Sequence, residues 1–288
     1  MTRPPAPPFG VEQVRQYYDR HTPAFVRFGQ GAGAGAIHRA VWAPGVRTRD
    51  QAFHLVEDRI AGFMAEAAGK AATSHVVDLG CGVGGSACYL ASRLEARITG
   101  VTLSPVQARL ARQRIEAAGL AGRVTCIEAD YANLPPEVAA ADLAYAIESF
   151  VHAPDAERFL SQCKTIVRPG GMLVLCDDFA RPTTDDGAER AVGRFRRGWH
   201  VNALLQADAL QAMARDAGFA HVSTEDLSPY LELRRLRDRV IRAVLPLAER
   251  LPIDPGRFDH VSGGSALQEC LERGWVGYDL VRFERTRD

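Results

Sequence analysis

Apolar residues follow two different periods along the chain. From Val11 to about Phe28, and again from Asp50 to Met64, they recur at the three- and four-residue spacing of an amphipathic helix, and Asp50 is placed to cap the second one. Beyond residue 70, short β-branched runs alternate with helical stretches. The predicted strands are 75–78, 97–102, 123–129, 143–146 and 172–178, with helices at 85–94, 104–118 and 155–167 between them. This alternation predicts an α/β fold with a parallel sheet and helices on both faces.

Two insertions interrupt the alternation after residue 178. We expect lid segments at about 179–203, which is rich in arginine, and at about 227–273. The other predicted elements are a helix at 206–217, strands at 222–226 and 276–285, and a turn at Pro169-Gly170-Gly171 just before the fifth strand. We therefore predict three parts, which are a disordered proline-rich tail at 1–10, an N-terminal helical lid at 11–70 and one α/β domain at 71–288 that carries both insertions.

The composition limits the expected partners. The 35 Lys and Arg residues balance 35 Asp and Glu residues, so we expect neither nucleic acid nor an anionic membrane surface as a partner. The N-terminus lacks the apolar stretch of a signal peptide, and no run approaches the roughly 18 apolar residues of a membrane span, which indicates a cytoplasmic protein. The six cysteines form no CxxC pair and are expected to be reduced. A homodimer or higher homo-oligomer is the default assembly on general grounds.

The sharpest local motif is the glycine-rich run from Val76 to Ser86, VVDLGCGVGGS. It follows a predicted strand and opens a predicted helix, as a nucleotide-binding loop does, and its glycines let the backbone turn sharply beneath a ligand. Dinucleotide-binding enzymes share the bare GxGxxG pattern, but the acid that grips their ribose about 20 residues later is absent from Gly100–Gln107. The carboxylate of Asp78 at the strand end instead favours a cationic ligand with an amino-acid tail.

Two further segments follow the second and third predicted strands. Ser104-x-x-Gln107, with Pro105 at the first helical position, is a capping box, and the Gln107 amide either caps the helix only or also reaches a ribose. Asp130 either caps the next turn or accepts a hydrogen bond from the amine of an adenine. Taken with the glycine loop, we favour the adenine role for Asp130.

These three segments together resemble the class I S-adenosylmethionine-dependent methyltransferases. The run from Tyr145 to Pro154, YAIESFVHAP, is similar to the sterol 24-C-methyltransferases, and also to tocopherol, prenyl-diphosphate and bacterial terpenoid C-methyltransferases. The resemblance is good over 76–178, weaker at Tyr17-Tyr18-Asp19 and thin over 179–288. It implies a Rossmann-like seven-stranded sheet with helical N-terminal and inserted lid segments, and S-adenosylmethionine as the cofactor.

The resemblance also implies which residues bind that cofactor. The glycines would lie against its methionine and ribose, the residues after the second strand against the ribose, and those after the third strand against the adenine. Tyr18 would lie near its carboxylate. The full predicted cofactor site is Tyr18, Asp78, Gly80, Gly82, Gly84, Thr102, Leu103, Gln107, Asp130, Tyr131 and Ile147.

Glu148 and His152 are the predicted catalytic residues. Methylation of an alkene carbon leaves a carbocation, which needs negative charge nearby and a base for the final proton. The resemblance implies Glu148 as the cation stabiliser or base, and His152 is the second candidate for proton transfer. Each has a plainer interpretation, because Glu148 can bind loop backbone or the cofactor's amino group, and His152 can be structural.

We therefore expect a methyltransferase of a small-molecule natural product. An alkene carbon of an isoprenoid is the favoured acceptor, and the alternative is O- or N-methylation of a secondary metabolite, in which Glu148 or His152 would deprotonate the acceptor. The candidate substrate-binding residues are Phe25, Phe28, Trp42, Phe150, Phe195, Trp199 and His200. We expect no bound metal, unless the substrate is a diphosphate, in which case Asp177 and Asp178 could hold Mg²⁺ near Arg194, Arg196 and Arg197.

Overall fold

The computed structural model describes residues 9–28, 38–67, 74–138, 140–233, 235 and 259–287. Most of the predicted proline-rich tail and the middle of the second predicted lid lie outside these residues. Within them, the predicted α/β fold with a seven-stranded sheet is confirmed. The strands are β1 (Ser74–Leu79), β2 (Ala96–Thr102), β3 (Val124–Glu128), β4 (Ala141–Ile147), β5 (Val167–Ala180), β6 (Phe219–Asp226) and β7 (Val276–Arg285).

The order of the strands creates a crevice in the middle of the sheet. They lie in the order β3-β2-β1-β4-β5-β7-β6, and every pair is parallel except those of β7, which runs antiparallel to β5 and β6. The chain moves outward from β1 to β3 and then returns to place β4 on the other side of β1. The two halves of the sheet diverge there, and sheets of this kind bind ligands at that point, outside the carboxyl ends of the strands.

Helices cover both faces of the sheet. Successive strand residues enter opposite cores, since Val76 lies in the same buried cluster as Ile60 and Leu90, whereas Val77 lies in the cluster of Phe159. None of the described helices is long and apolar enough to cross a lipid bilayer. The described helices are α1 (Val11–Phe28), α2 (Arg49–Ala67), α3 (Gly85–Arg93), α4 (Pro105–Ala117), α5 (Ala156–Ile166), α6 (Asp186–Trp199), α7 (Ala207–Asp216) and α8 (Asp259–Glu272).

Two local predictions are wrong. Thr48, not Asp50, caps α2, because its Oγ1 accepts a hydrogen bond from the Gln51 amide at 3.2 Å, while Asp50 lies inside the first turn. The run Pro169-Gly170-Gly171 does not precede the fifth strand. It lies within β5, close to where the pairing with β4 shifts in register, and the left-handed conformation of its central glycine lets the strand continue through the irregularity.

Helices α6 and α8, which come from the two predicted lid segments, pack backbone to backbone. Gly198 of α6 faces Gly263 of α8, and a Cβ on Gly198 would lie 2.6 Å from the Gly263 Cα. Next to this contact, the Trp199 Nε1 donates a hydrogen bond to the carbonyl oxygen of His260 at 3.1 Å. The distance between the two helices is therefore fixed by their backbones.

Gly198→Ala is expected to lower the free energy of unfolding by about 1–3 kcal/mol, because the added methyl group pushes the two helix backbones apart. Urea unfolding measures this change. Gly193→Ala in the same helix is the matched control, since the nearest atom to its new Cβ is Nη1 of Arg197 at 3.4 Å. The control removes a glycine from a helix interior, so its stability stays equal or rises by up to about 1 kcal/mol. Equal losses in both variants would contradict the tight contact.

Candidate active site

A cavity of about 500 Å³ opens at the carboxyl edge of the sheet, where the two halves diverge. Residues that follow β1, β2, β3 and β4 line one side of it. Its other walls come from α1, α6, α8 and two connecting segments, 38–40 and the described residues 231–233 and 235. A pocket of this size and position is the natural ligand site of such a sheet.

The glycine loop lines the cavity directly after β1. Gly80 and Gly82 have φ angles of +96° and +53°, a conformation that favours glycine. A Cβ on Gly80 would also lie 2.6 Å from the Ser149 Oγ, so this position accepts no side chain. Gly84 differs from the predicted cofactor-binding position, because it does not line the cavity. It packs against α4, where its Cβ would lie 3.1 Å from that of Ala111.

Asp78 places a buried carboxyl beside the glycine loop. It lines the cavity while only 2% exposed, and the Tyr145 hydroxyl donates a hydrogen bond to it at 2.7 Å. Burial raises the pKa of Asp78 to about 7. A cationic ligand in the cavity would offset the cost of this buried negative charge, so the environment suits the kind of ligand that the motif predicts.

Helix α1 is tied to the start of α4 at the cavity wall. The Ser104 Oγ donates a hydrogen bond to Asp19 at 2.5 Å and accepts one from the backbone nitrogen of Gln107 at 3.1 Å, so Ser104 caps α4 as predicted. The Gln107 side chain does not return to the cap. Its Oε1 accepts from Thr102 at 2.8 Å, and its Nε2 donates to Thr22 at 3.1 Å. Thr102 and Gln107 both line the cavity on the side predicted for a ribose, and α1 holds them there.

The two residues predicted to lie beside an adenine, Asp130 and Tyr131, line the cavity. Leu103, which is predicted to lie beside the ribose, and Ile147 line it as well. Asp130 caps its turn, because its Oδ1 accepts from the Ala132 amide at 2.8 Å. The Tyr131 hydroxyl donates to the Ser149 carbonyl oxygen at 3.0 Å. These bonds fix both side chains at the wall, and their role toward an adenine stays a prediction.

A buried arginine that the sequence analysis missed binds two acids at once. Both Arg39 Nη atoms donate to the Asp178 carboxylate at 2.9 Å. Its backbone nitrogen and Nε donate to Oε1 of Glu148 at 2.8 and 3.1 Å, and the Tyr278 hydroxyl donates to the same oxygen at 2.9 Å. Burial by itself would raise the pKa of Glu148, but the charge and hydrogen bonds of Arg39, together with the charge of His38, outweigh burial and lower it. Glu148 is therefore an ionised partner of Arg39, held in a left-handed conformation with φ of +49°.

His152 and Tyr18 form a hydrogen-bonded pair in the cavity wall. The Tyr18 hydroxyl lies 2.7 Å from Nε2 of His152, and Nδ1 lies 3.2 Å from the carbonyl oxygen of His200. Since a carbonyl only accepts, Nδ1 carries the proton and Nε2 accepts from Tyr18. Burial lowers the pKa of His152 to about 4, so the imidazole is neutral near pH 7. His200 ends α6 with φ of +52°, which directs its carbonyl to the imidazole.

His38, also missed from the sequence, lines the cavity in a buried ion pair. Its Nε2 lies 2.8 Å from Glu57 Oε1, and its Nδ1 lies 3.3 Å from the Arg39 carbonyl oxygen. Both ring nitrogens face acceptors, so both carry protons and the ring is an imidazolium. Burial opposes the charge, yet the Glu57 carboxylate raises the pKa of His38 to about 9. Ser86 of α3 donates to the same Glu57 oxygen at 2.8 Å, which links the 38–40 segment to the glycine loop.

The predicted substrate-binding residues divide into two groups. Phe25 and Trp199 line the cavity. Phe150, Phe195, Trp42 and His200 do not: the two phenylalanines are fully buried in the cores, Trp42 is partly exposed away from the cavity, and His200 contributes only its carbonyl to His152. The side chain of Phe28 lies outside the described residues. Aromatic character alone did not separate core from cavity positions.

Asp177 and Asp178, which the sequence analysis considers as magnesium ligands, accept hydrogen bonds from other groups of the protein. Asp177 accepts from the backbone nitrogens of Val151 at 3.1 Å and Asp178 at 2.9 Å, and Asp178 binds Arg39. Arg194 pairs with Glu269 on α8 instead of facing the acids. Among the residues that the structure describes, no group of three or more His, Cys, Asp or Glu side chains is arranged to hold a metal ion.

Comparison with known proteins is consistent with this geometry. A family model described as a methyltransferase domain matches residues 76–171. The chain is 33% identical over 195 residues to the 27-O-demethylrifamycin SV methyltransferase of Amycolatopsis mediterranei, and the match covers 67% of this chain and 70% of that protein.

Two solved structures share the fold over nearly the whole chain. The crystal structure of the cyclase SpnF aligns with a TM-score of 0.72 and 25% identity, and covers 99% of this chain and 98% of its own. A geranyl diphosphate C-methyltransferase of Streptomyces coelicolor, crystallised with Mg²⁺, geranyl diphosphate and S-adenosylhomocysteine, aligns with a TM-score of 0.66 and 17% identity, and covers 96% and 98%. At that identity the second likeness concerns the fold alone.

The His38–Glu57 pair predicts a loss of stability at alkaline pH. A histidine whose pKa is raised on folding stabilises the protein below its unfolded pKa of 6.5, and the contribution is lost as the pH rises toward about 9. The free energy of unfolding of the wild-type protein should exceed that of His38→Gln by about 3 kcal/mol at pH 6, and the difference should shrink steadily between about pH 6.5 and pH 9. Guanidinium unfolding of both proteins across this range measures it. A difference that does not change with pH would show that His38 is uncharged.

Proposed function

Because the chain belongs to the S-adenosylmethionine-dependent methyltransferases of small molecules, we propose that it methylates a hydroxyl oxygen of an apolar small molecule, with Tyr18 and His152 taking the hydroxyl proton. The observation that carries the proposal is the pair itself. It consists of a neutral, buried imidazole with a fixed tautomer and a tyrosine hydroxyl on its free nitrogen, both in the cavity wall.

The cavity residues fit the cofactor. Gly80 and Gly82 let the loop turn sharply at the cavity wall, and Asp78 offers a buried negative charge to a cationic ligand. Asp130 and Tyr131 are fixed in the wall after β3, where we propose that the adenine binds. When bound, S-adenosylmethionine supplies a methyl group on a sulfonium, open to in-line displacement. The contribution of the protein is to position the acceptor, exclude water and handle one proton.

The proton path follows from the hydrogen bonds. As an acceptor hydroxyl is methylated its oxygen becomes cationic and its proton strongly acidic, so a neutral imidazole is a sufficient base. The proton passes to the Tyr18 oxygen while Tyr18 gives its own proton to Nε2 of His152. The His200 carbonyl accepts a hydrogen bond from the Nδ1 proton and steadies the imidazolium that forms.

An oxygen acceptor is favoured over the alkene carbon that the sequence suggests. A carbocation would need an uncompensated negative charge, whereas Oε1 of Glu148 accepts hydrogen bonds from Arg39 and Tyr278, and the guanidinium offsets the charge. The name of the Amycolatopsis relative, which denotes methylation at an oxygen, supports the same choice. Carbon methylation remains the second candidate because Glu148 lines the cavity at the carboxyl end of β4.

The rest of the cavity favours an acceptor with an apolar body. Wall residues from α1, α6 and α8 include Val14, Phe25, Trp199, Leu267 and Leu271. Pockets of this kind bind a ligand through its apolar surface and orient it with a few polar groups. Tyr18 and His152 would provide that orientation at the reacting hydroxyl.

The test is transfer from methyl-labelled S-adenosylmethionine to a panel of phenols, aliphatic alcohols, amines, prenyl diphosphates and isoprenoid alkenes, with and without Mg²⁺. Mass spectrometry and NMR locate the label, which we expect on oxygen. A label on carbon would replace the oxygen proposal with the carbon one. Conversion of a substrate without transfer of label would indicate an activity like that in the name of the related cyclase.

With an accepted substrate, His152→Ala should lower kcat by about 10²–10⁴-fold while the affinity for S-adenosylhomocysteine stays close to wild type. Tyr18→Phe, which keeps the ring but removes the hydroxyl, should lower kcat in the same direction. His221→Ala is the matched control, because His221 is exposed on β6 and does not line the cavity. Full activity of His152→Ala would remove the pair from the mechanism.

A further inference from the structure

Two cysteine thiols meet beneath the cofactor loop. Cys81 lies between Gly80 and Gly82 and lines the cavity, whereas Cys126 lies on β3, and their sulfur atoms are 3.8 Å apart. We infer that Cys81 and Cys126 are a modification site, a dithiol that a peroxide oxidises to a disulfide, and that this disulfide distorts the cofactor loop and lowers its affinity for cofactor.

The contact between the two thiols depends on a glycine in the strand between them. Gly100 of β2 pairs in register with Cys126, and a Cβ on Gly100 would lie 2.8 Å from the Cys81 sulfur and 2.9 Å from its Cβ. Any other residue at this position would hold the loop away from β3. The glycine lets the Cys81 side chain cross over β2 and reach the thiol of the next strand.

The two thiols have different environments. Cys81 is buried, whereas Cys126 is partly exposed. The contact between the two thiols, in which either sulfur can donate, and the nearby Arg112 guanidinium lower the pKa of Cys126, whereas the same contact and burial raise the pKa of Cys81. Cys126 is therefore the thiol that reaches the thiolate form first, and the thiolate is the nucleophile.

The oxidation balances with hydrogen peroxide as the two-electron oxidant. The Cys126 sulfur attacks one peroxide oxygen, which breaks the O–O bond, forms a sulfenic acid and releases one water. The Cys81 sulfur then displaces the hydroxyl from the Cys126 sulfur, which leaves as a second water with the Cys81 proton. Two thiols and one peroxide thus give one disulfide and two waters.

A disulfide requires the two sulfur atoms to move. Its sulfurs lie about 2.05 Å apart, so those of Cys81 and Cys126 must approach each other by about 1.7 Å. Cys126 is held in the β2–β3 ladder. The loop is held more locally, because the backbone nitrogens of Gly80 and Cys81 both donate to the Val101 carbonyl oxygen, at 2.9 and 2.8 Å. The loop is therefore the part that we infer to shift as the sulfurs approach. A bound cofactor would oppose this shift, and we expect it to slow the oxidation.

The experiment exposes the full-length protein to hydrogen peroxide and measures the affinity for S-adenosylhomocysteine by calorimetry. Cys88→Ala is the working background, because trypsin leaves Cys81 and Cys88 together in residues 71–93 and places Cys126 in 124–158. In that background, mass spectrometry should find the two peptides joined. The affinity should fall at least tenfold, dithiothreitol should restore it, and prior addition of S-adenosylhomocysteine should slow the joining.

Cys126→Ala, which keeps Cys81 and does not change the cavity lining, should bind S-adenosylhomocysteine as the wild type does and resist peroxide. Joined peptides without loss of affinity would overturn the proposed effect on the loop. Oxidation that stops at unlinked sulfinic acid would overturn the disulfide. An equal peroxide sensitivity of Cys126→Ala would assign the effect to another residue and overturn the proposal.

Discussion

The cavity depends on a buried ion-pair network centred on Arg39. This side chain precedes the sheet in the sequence and binds Asp178 near the end of β5 and Glu148 after β4, while its guanidinium lies 4.1 Å from the centre of the Tyr278 ring. Buried charges are stable only when they are paired, and loss of one partner typically costs about 3–5 kcal/mol. The network thus anchors the 38–40 segment over the carboxyl edge, and without it the cavity would lose a wall.

Two further sets of hydrogen bonds fix the N-terminal segments to the sheet side of the cavity. The His38–Glu57–Ser86 bonds attach the same segment to the helix that follows the glycine loop. On the other side, α1 reaches α4 through Asp19 and Thr22, and reaches His152 through Tyr18. The N-terminal elements therefore hold the predicted cofactor side and the proposed acceptor side of the cavity in one arrangement. The proposed proton transfer requires that alignment, because its rate depends on distances within a single hydrogen bond.

The sequence predicts what is encoded locally. Alternating strands and helices, the glycine loop and the cap at Ser104 each depend on neighbouring residues, and the structure has them where the pattern places them. Arg39, His38 and the His200 carbonyl were missed because their partners are 19 to 139 residues away, and no local spacing reports such pairs. Phe150 and Phe195 were placed wrongly for a related reason. A buried aromatic in a core and one in a cavity have the same sequence signature, and only the packing of the helices separates them.

The backbone contact between Gly198 of α6 and Gly263 of α8 limits how the sequence of this fold can change during evolution. Because no side chain separates Gly198 from Gly263, the spacing of the two helices cannot be tuned in small steps. Related enzymes that accept larger or smaller molecules would have to vary the residues that α8 turns toward the cavity, such as Leu267 and Leu271, while the glycines stay. The helix pair is thus a fixed frame, and the choice of acceptor can evolve on its inner face without a change in the frame itself.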